Sequence, residues 1–164
     1  MLSKEQNTGA PEKAEEIAQF IFVDSKESFP DWMSVDKLAD FLNRIMRPYE
    51  DTVEDIARGI EYALSKEQGR GGFIILAVAS EIPLGAVVFL NTGMKGYVPE
   101  NLLLFVGVHP DYRGKGIGRE LISRAARRCE GNIKLHVEPD NPAKRLYELL
   151  GFKNKYLEFR YQKV

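Results

Sequence analysis

The residues best suited to chemistry lie in one run, Val106-Gly-Val-His-Pro-Asp-Tyr-Arg113-Gly114-Lys115-Gly116-Ile117-Gly118. Glycines at 114, 116 and 118 let successive backbone N–H groups turn into one concavity. A helix predicted to start here adds unpaired N–H groups and the positive end of its dipole. Such a place suits a phosphate or pyrophosphate, with Arg113, Lys115 and Arg119 supplying formal charge nearby. Two common phosphate loops do not fit. A Walker A loop has four residues between its first glycine and Gly-Lys, whereas six separate Gly107 from Gly114, and Gly116 follows Lys115 in place of Ser or Thr. The dinucleotide fingerprint has two residues between its second and third glycines, and here only Ile117 lies between Gly116 and Gly118. A glycine-rich helix start with no ligand is the plainer alternative.

A second run is Asn141-Pro-Ala-Lys-Arg-Leu-Tyr-Glu-Leu-Leu-Gly-Phe152. Asn141 suits an N-cap with Pro142 at the first helical position, and Gly151 suits the left-handed residue after the helix. Ala143, Leu146, Tyr147 and Leu150 share one helical face, so Tyr147 points inward. From spacing alone a core tyrosine with a satisfied hydroxyl is the simpler reading.

In this order, strand, Arg-x-x-Gly-x-Gly turn, helix, strand and Asn-x-Ala-x-x-x-Tyr-x-x-x-Gly-Phe, the chain resembles the GNAT family of N-acetyltransferases. The likeness is close over Phe73 to Phe152 and loose over the last strand. It implies an α+β (mixed α/β) fold. A central, mostly antiparallel sheet would be splayed at the strand before the coenzyme loop and flanked by helices, in a single domain over 1–164. The donor co-substrate would be acetyl-CoA, with no metal, and a primary amine would attack the thioester directly. Arg113, Gly114, Gly116 and Gly118, with the intervening backbone of Lys115 and Ile117, would hold the pyrophosphate, and Arg119 would add charge nearby. Val106, Gly107 and Val108 would pair with the pantetheine arm and turn an N–H toward the thioester oxygen. Asn141 would contact the coenzyme and Tyr147 would protonate the departing thiolate.

A thiol and a tyrosine titrate near about 8.5 and about 10, so that proton transfer is not grossly mismatched. The ammonium of a primary amine must first lose a proton. Histone-acetylating members carry a glutamate where this chain has Leu102; Glu100, two residues earlier on the same strand face, is the candidate base. An exposed carboxylate at a strand end is an equal alternative. The acceptor is open among a polyamine, an aminoglycoside, an amino acid and a lysine side chain. A longer acyl donor, a non-catalytic CoA-binding module and a nucleotide-phosphate binder are the competing readings. A homodimer would fit the resemblance.

These residues need elements to hold them. Val35, Leu38, Phe41, Leu42, Ile45 and Met46 recur at helical spacing after Ser34, and Val53, Ile56, Ile60, Ala63 and Leu64 do so after Asp51 or Thr52. Ala14–Phe22 reads as a short helix, making residues 1–68 a helical, acceptor-side region. No strand precedes Ala14, so the first strand is either very short or is Phe73–Ala79. Residues 73–164 form the coenzyme-binding core. It comprises a Phe73–Ala79 and Leu84–Leu90 hairpin turning at Glu81–Pro83, a Leu102–Val108 strand and a helix with Ile117, Leu121, Ile122 and Ala125 inward. An Ile133–Glu138 strand, the Pro142–Leu150 helix and a closing strand with Leu157, Phe159 and Tyr161 follow.

Other chemistry is weakly signalled. His109 is expected to serve the turn, and two histidines without clustered carboxylates make a poor metal site. Cys129 falls on a core face, and one cysteine excludes an internal disulfide. Arg119, Arg124, Arg127 and Arg128 form a solvated helix face within reach of a coenzyme phosphate. Trp32, Phe29, Met33, Tyr49 and Tyr62 mark the region where the family sets acceptor choice. At 164 residues and net charge −1, the chain suits one soluble, cytoplasmic domain with no nucleic-acid or membrane partner. Met1–Pro11 is polar and lacks a signal-peptide core.

Overall fold

The computed structural model describes residues 18–164. One five-stranded sheet, in the order β1-β2-β3-β4-β5, divides the molecule. The strands are β1 (Gln19–Val23), β2 (Gly72–Ala79), β3 (Ile82–Asn91), β4 (Asn101–Val108) and β5 (Ile133–Leu135). Neighbours are antiparallel except β4 and β5, which run parallel. Helices α1 (Val35–Ile45) and α2 (Val53–Ala63) cover one face, and α3 (Ile117–Arg128) and α4 (Ala143–Leu149) cover the other.

Because both faces are covered, the inner strands are apolar throughout. Ile74, Leu76 and Val78 of β2 join the α1/α2 core, while Phe73, Ile75, Ala77 and Ala79 join the α3/α4 core. Ser34 and Thr52 cap α1 and α2 as expected, their hydroxyls accepting from Lys37 N–H and Asp55 N–H at 3.2 Å each.

The start of the sheet differs from the sequence reading. Residues 19–22 are strand, paired with Ile75–Val78, and not the end of a helix. Phe20 and Phe22 face one core and Ile21 and Val23 the other, and such two-sided burial mimics helical spacing over so short a stretch. Residues 14–17 of that expected helix, and the polar Met1–Pro11, lie outside the described residues.

The β2–β3 turn is Ser80–Glu81, both left-handed (φ 46° and 62°), with Ala79 opposite Ile82. Pro83 is thus inside β3, beside an irregularity where proline is tolerated.

The far end differs too. β5 stops at Leu135, and residues 157–161, where the closing strand is expected, pair with no strand among the described residues. Leu157, Phe159 and Tyr161 are 77%, 88% and 89% exposed.

One inserted residue shapes the site. Val88 pairs with Phe105, but Phe89 pairs with Leu103, leaving Leu104 as a bulge in β4. Leu104 and Phe105 therefore face the same core, between Leu103 and Val106 on the other. The β4 ladder with β5 ends at Leu103↔Leu135, whereas its ladder with β3 continues to Val108↔Gly85. Beyond the bulge β4 parts from β5, and the sheet opens into a wedge. Gly59 of α2 lies over the bulge, where an added Cβ would stand 2.6 Å from Leu104 Cδ2 and 2.8 Å from Phe105 Cε2.

Candidate active site

The free edge of β4 runs through Val106, Gly107 and Val108 into the glycine loop. A short 3-10 turn at Pro110–Tyr112 intervenes, with His109 Nδ1 accepting from Asp111 N–H at 3.2 Å. His109 is used as a turn cap. Gly114 and Gly116 then adopt φ of +77° and +82°, and no heavy atom lies within 4 Å of where their Cβ would be. Packing does not require glycine at either place. The left-handed backbone does, and the empty space in front of it is room for a ligand. Gly118 is different: its Cα hydrogen side faces Leu146 and Val108, 3.5 Å from an added Cβ, so α4 is drawn against the loop.

The charges around the loop divide. Lys115 lies over the Tyr112 ring at 5.5 Å, and Arg119 makes no ion pair among the described residues. The Arg113 guanidinium is instead taken by two carbonyls, Val108 at 3.0 Å and Ile45 at 2.7 Å. Arg124 and Arg128 stack on Phe20 and Phe22, 4.2 and 3.8 Å from the ring centroids, and Arg127 lines the same groove. These three face β1 rather than the loop.

α4 begins one residue later than expected, at Ala143, with the Asn141 Oδ1 accepting from Ala143 N–H at 2.9 Å. The Asn141 Nδ2 donates to Glu138 at 3.2 Å. At the other end Gly151 is left-handed (φ 96°), and Phe152 N–H and Gly151 N–H donate to Tyr147 and Glu148 carbonyls at 3.0 and 3.1 Å. This Schellman closure swings the Phe152 ring edge-on to Tyr147, centroids 6.0 Å apart.

Tyr147 is 8% exposed and packs in the cluster that includes Val106, Val108, Leu135 and Val137, where β4 and β5 part. Its hydroxyl makes no hydrogen bond among the described residues, and since no fully buried side-chain oxygen there lacks a partner, the hydroxyl oxygen keeps access to solvent while the ring is buried. Burial first, and then the charge of Glu138, push its pKa up to about 12.

Glu100 is not brought to this place. It sits beside Asn101 at the β5-paired end of β4, accepting from Asn132 N–H at 2.7 Å and Gly96 N–H at 3.4 Å. Those backbone donors, Asn132 first, hold its carboxyl below the usual range. Cys129, half-buried, has its thiol pushed to about 11 by desolvation. No group of three or more metal-ligating side chains occurs among the described residues, and no helix is long and apolar enough to cross a membrane.

Of the five aromatic and methionine residues singled out near the N-terminus, only Tyr49 reaches the wedge. Its hydroxyl donates to the Asp140 carbonyl at 3.1 Å. Phe29, Trp32 and Met33 pack in the α1/α2 core, and Tyr62 bonds the Gly69 carbonyl. Sequence reasoning missed Glu138. It influences Tyr147, Tyr49 and Asp51 at once, raising the pKa of each after the larger effect of desolvation. The only signal was its place three residues before Asn141.

Known proteins resemble this chain in sequence and in fold. The family model described as acetyltransferase (GNAT) family matches residues 35–152. The chain is 34% identical over 114 residues to acetyltransferase SG1711 of Sodalis glossinidius (strain morsitans), covering 66% of this chain and 71% of that one. The aminoglycoside N-acetyltransferase AAC(6')-Iy, solved with CoA, superposes with a TM-score of 0.64 at 14% identity, over 92% of this chain and 98% of that one. A transcriptional regulator from Bacillus halodurans C-125 superposes with 0.60 at 19% identity, over 88% and 100%. At such identities the two structures establish the fold and leave the acceptor open.

Proposed function

Because the chain belongs to the GNAT acetyltransferase family, we propose that the wedge between β4 and β5 is where acetyl-CoA donates its acetyl group to a primary amine. The observation that carries this reading is the buried Tyr147 ring, its hydroxyl unpartnered and still open to solvent, beside an open strand edge that leads into the open glycine loop.

The pyrophosphate occupies the space before Gly114 and Gly116, held by backbone N–H groups from there to Gly118 and by the charges of Lys115 and Arg119. The pantetheine arm lies along Val106–Val108 as an added strand, and a backbone N–H there faces the thioester oxygen as negative charge gathers on it. Asn141 supports the coenzyme from the α4 side. The neutral amine attacks the carbonyl carbon, the C–S bond breaks, Tyr147 gives its proton to the departing sulfur, and the proton shed by the new amide nitrogen returns through water to the tyrosine. Glu138, near Tyr147 and among the acidic groups at the wedge, is better placed than Glu100 to orient the incoming ammonium and take its proton through water.

Thermal unfolding with acetyl-CoA, with ATP as control, tests the donor. At a hundredfold excess over Kd a ligand adds about 2.7 kcal/mol, or roughly 5–10 °C for a domain of this size. A shift specific to acetyl-CoA, followed by amine-dependent thiol release, is the expected result. Equal shifts with ATP would favour a nucleotide-phosphate binder, and a shift without turnover against any amine would favour a CoA-binding module.

A further inference from the structure

The connection from α1 to α2, residues 46–52, crosses the mouth of the wedge and is fastened on both sides. On the β4 side, Ile45 and Met46 lie against the bare face of Gly107, where an added Cβ would come within 2.8 Å of Ile45 Cδ1 and 3.3 Å of Met46 Cγ. On the β5 side the Tyr49 hydroxyl holds the Asp140 carbonyl, and within the connection Asn43 Nδ2 donates to the Asp51 carbonyl at 2.8 Å.

The link between this crossing and the coenzyme loop is a single side chain. Arg113 Nη2 donates to the Ile45 carbonyl at 2.7 Å and Nε to the Val108 carbonyl at 3.0 Å. Ile45 is the last residue of α1, and its carbonyl is among those a helix leaves without an internal partner. A guanidinium there also meets the negative end of the helix dipole. The planar fork offers Nε and Nη2 to the two carbonyls from fixed, separate positions, whereas a lysine ammonium is a single point charge on a flexible stem and holds such a bridge less rigidly. The arginine of the loop motif is thus directed away from the space before Gly114 and Gly116.

We propose that Arg113 is a positioning residue: its side chain ties the C-terminal end of α1 to the start of the coenzyme loop and so sets residues 46–52 as the acceptor-side wall. The inference rests on the coenzyme reading of the loop and assigns the motif arginine a different task from phosphate binding.

Arg113→Lys and Arg113→Gln test it by amide exchange on the free protein, CoA titration calorimetry, and turnover with spermidine as the probe amine. We expect exchange at the Met46 and Tyr49 amides to quicken about tenfold, with Ile74–Leu76 of β2 unchanged as a control for global unfolding. CoA affinity should stay within about twofold, while KM for the amine rises about tenfold and KM for acetyl-CoA does not. A tenfold or greater loss of CoA affinity with unchanged exchange at Met46 and Tyr49, on the order expected for losing a charged phosphate contact, would overturn the proposal. So would variants indistinguishable from wild type. Failure of the wild type to bind CoA would instead remove the coenzyme reading, and the exchange measurement would still judge the tie.

Discussion

The Tyr147 ring is buried while its hydroxyl, without a protein partner, stays open to solvent, and its behaviour should show this. Tyr147→Phe removes one oxygen that has no protein partner and leaves the buried ring in place, so the fold and CoA affinity should hold. kcat should fall by about a hundredfold or more, the usual worth of a placed proton donor; unchanged kcat would exclude the tyrosine from the reaction. A hydroxyl titrating at about 12 stays protonated while an amine acceptor loses its proton near about 10. The pH profile of kcat/KM should therefore rise through the amine's titration with no alkaline decline below it. Glu138 raises the tyrosine pKa by repulsion, so Glu138→Gln should lower it, bringing that decline to lower pH while also reducing kcat/KM. A profile whose alkaline limb does not move would separate Glu138 from Tyr147.

At the scale of elements the bulge and the α4 closure matter most. Deleting Leu104 would leave Leu103, Phe105 and Val106 alternating between the two cores as they do now, so the protein should still fold. β4 could then follow β5 further, and CoA affinity should fall at least about tenfold by calorimetry as the edge is lost to a ladder. Gly151→Ala should cost about 1–2 kcal/mol in denaturant unfolding, the penalty of a left-handed non-glycine residue. These features differ in how well the sequence announced them. The Gly151–Phe152 closure was readable because helix ends have a local code. The bulge was not, since Leu102-Leu-Leu-Phe-Val looks the same in any register and only pairing with β3 reveals the extra residue. β1 was misread because Ile17, Phe20 and Ile21 fit a helical face, while a strand buried on both sides has no alternation to show.

Across the whole molecule, the half built of the glycine loop and α4, to which the proposed function assigns the coenzyme, was legible as structure because its residues are consecutive in sequence. The loop and α4 each carry their own glycines, caps and periodicity. The α1–α2 side was not, since Arg113 meets Ile45 across 68 residues and Tyr49 meets Asp140 across 91. Nothing local marks such pairs. The alternating Leu157, Phe159 and Tyr161 raised an expectation that only a partner strand could satisfy, and none of the described residues supplies one. Because those side chains bury almost nothing, truncation after Lys155 should change stability by less than about 0.5 kcal/mol and raise solubility. A large loss in thermal stability would mean the segment packs in solution.

The two hydrophobic cores on either face of the sheet share no side chain. With the donor on the α3/α4 side, as proposed, a lineage can rebuild α1, α2 and their connection to suit a new amine while that side stays as it is. Inheritance of the donor and drift of the acceptor become separable, and the two faces must agree only at the few places where they touch, the Arg113 and Tyr49 bonds among them. Swapping the α1–α2 segment between relatives should succeed when those footings travel with it.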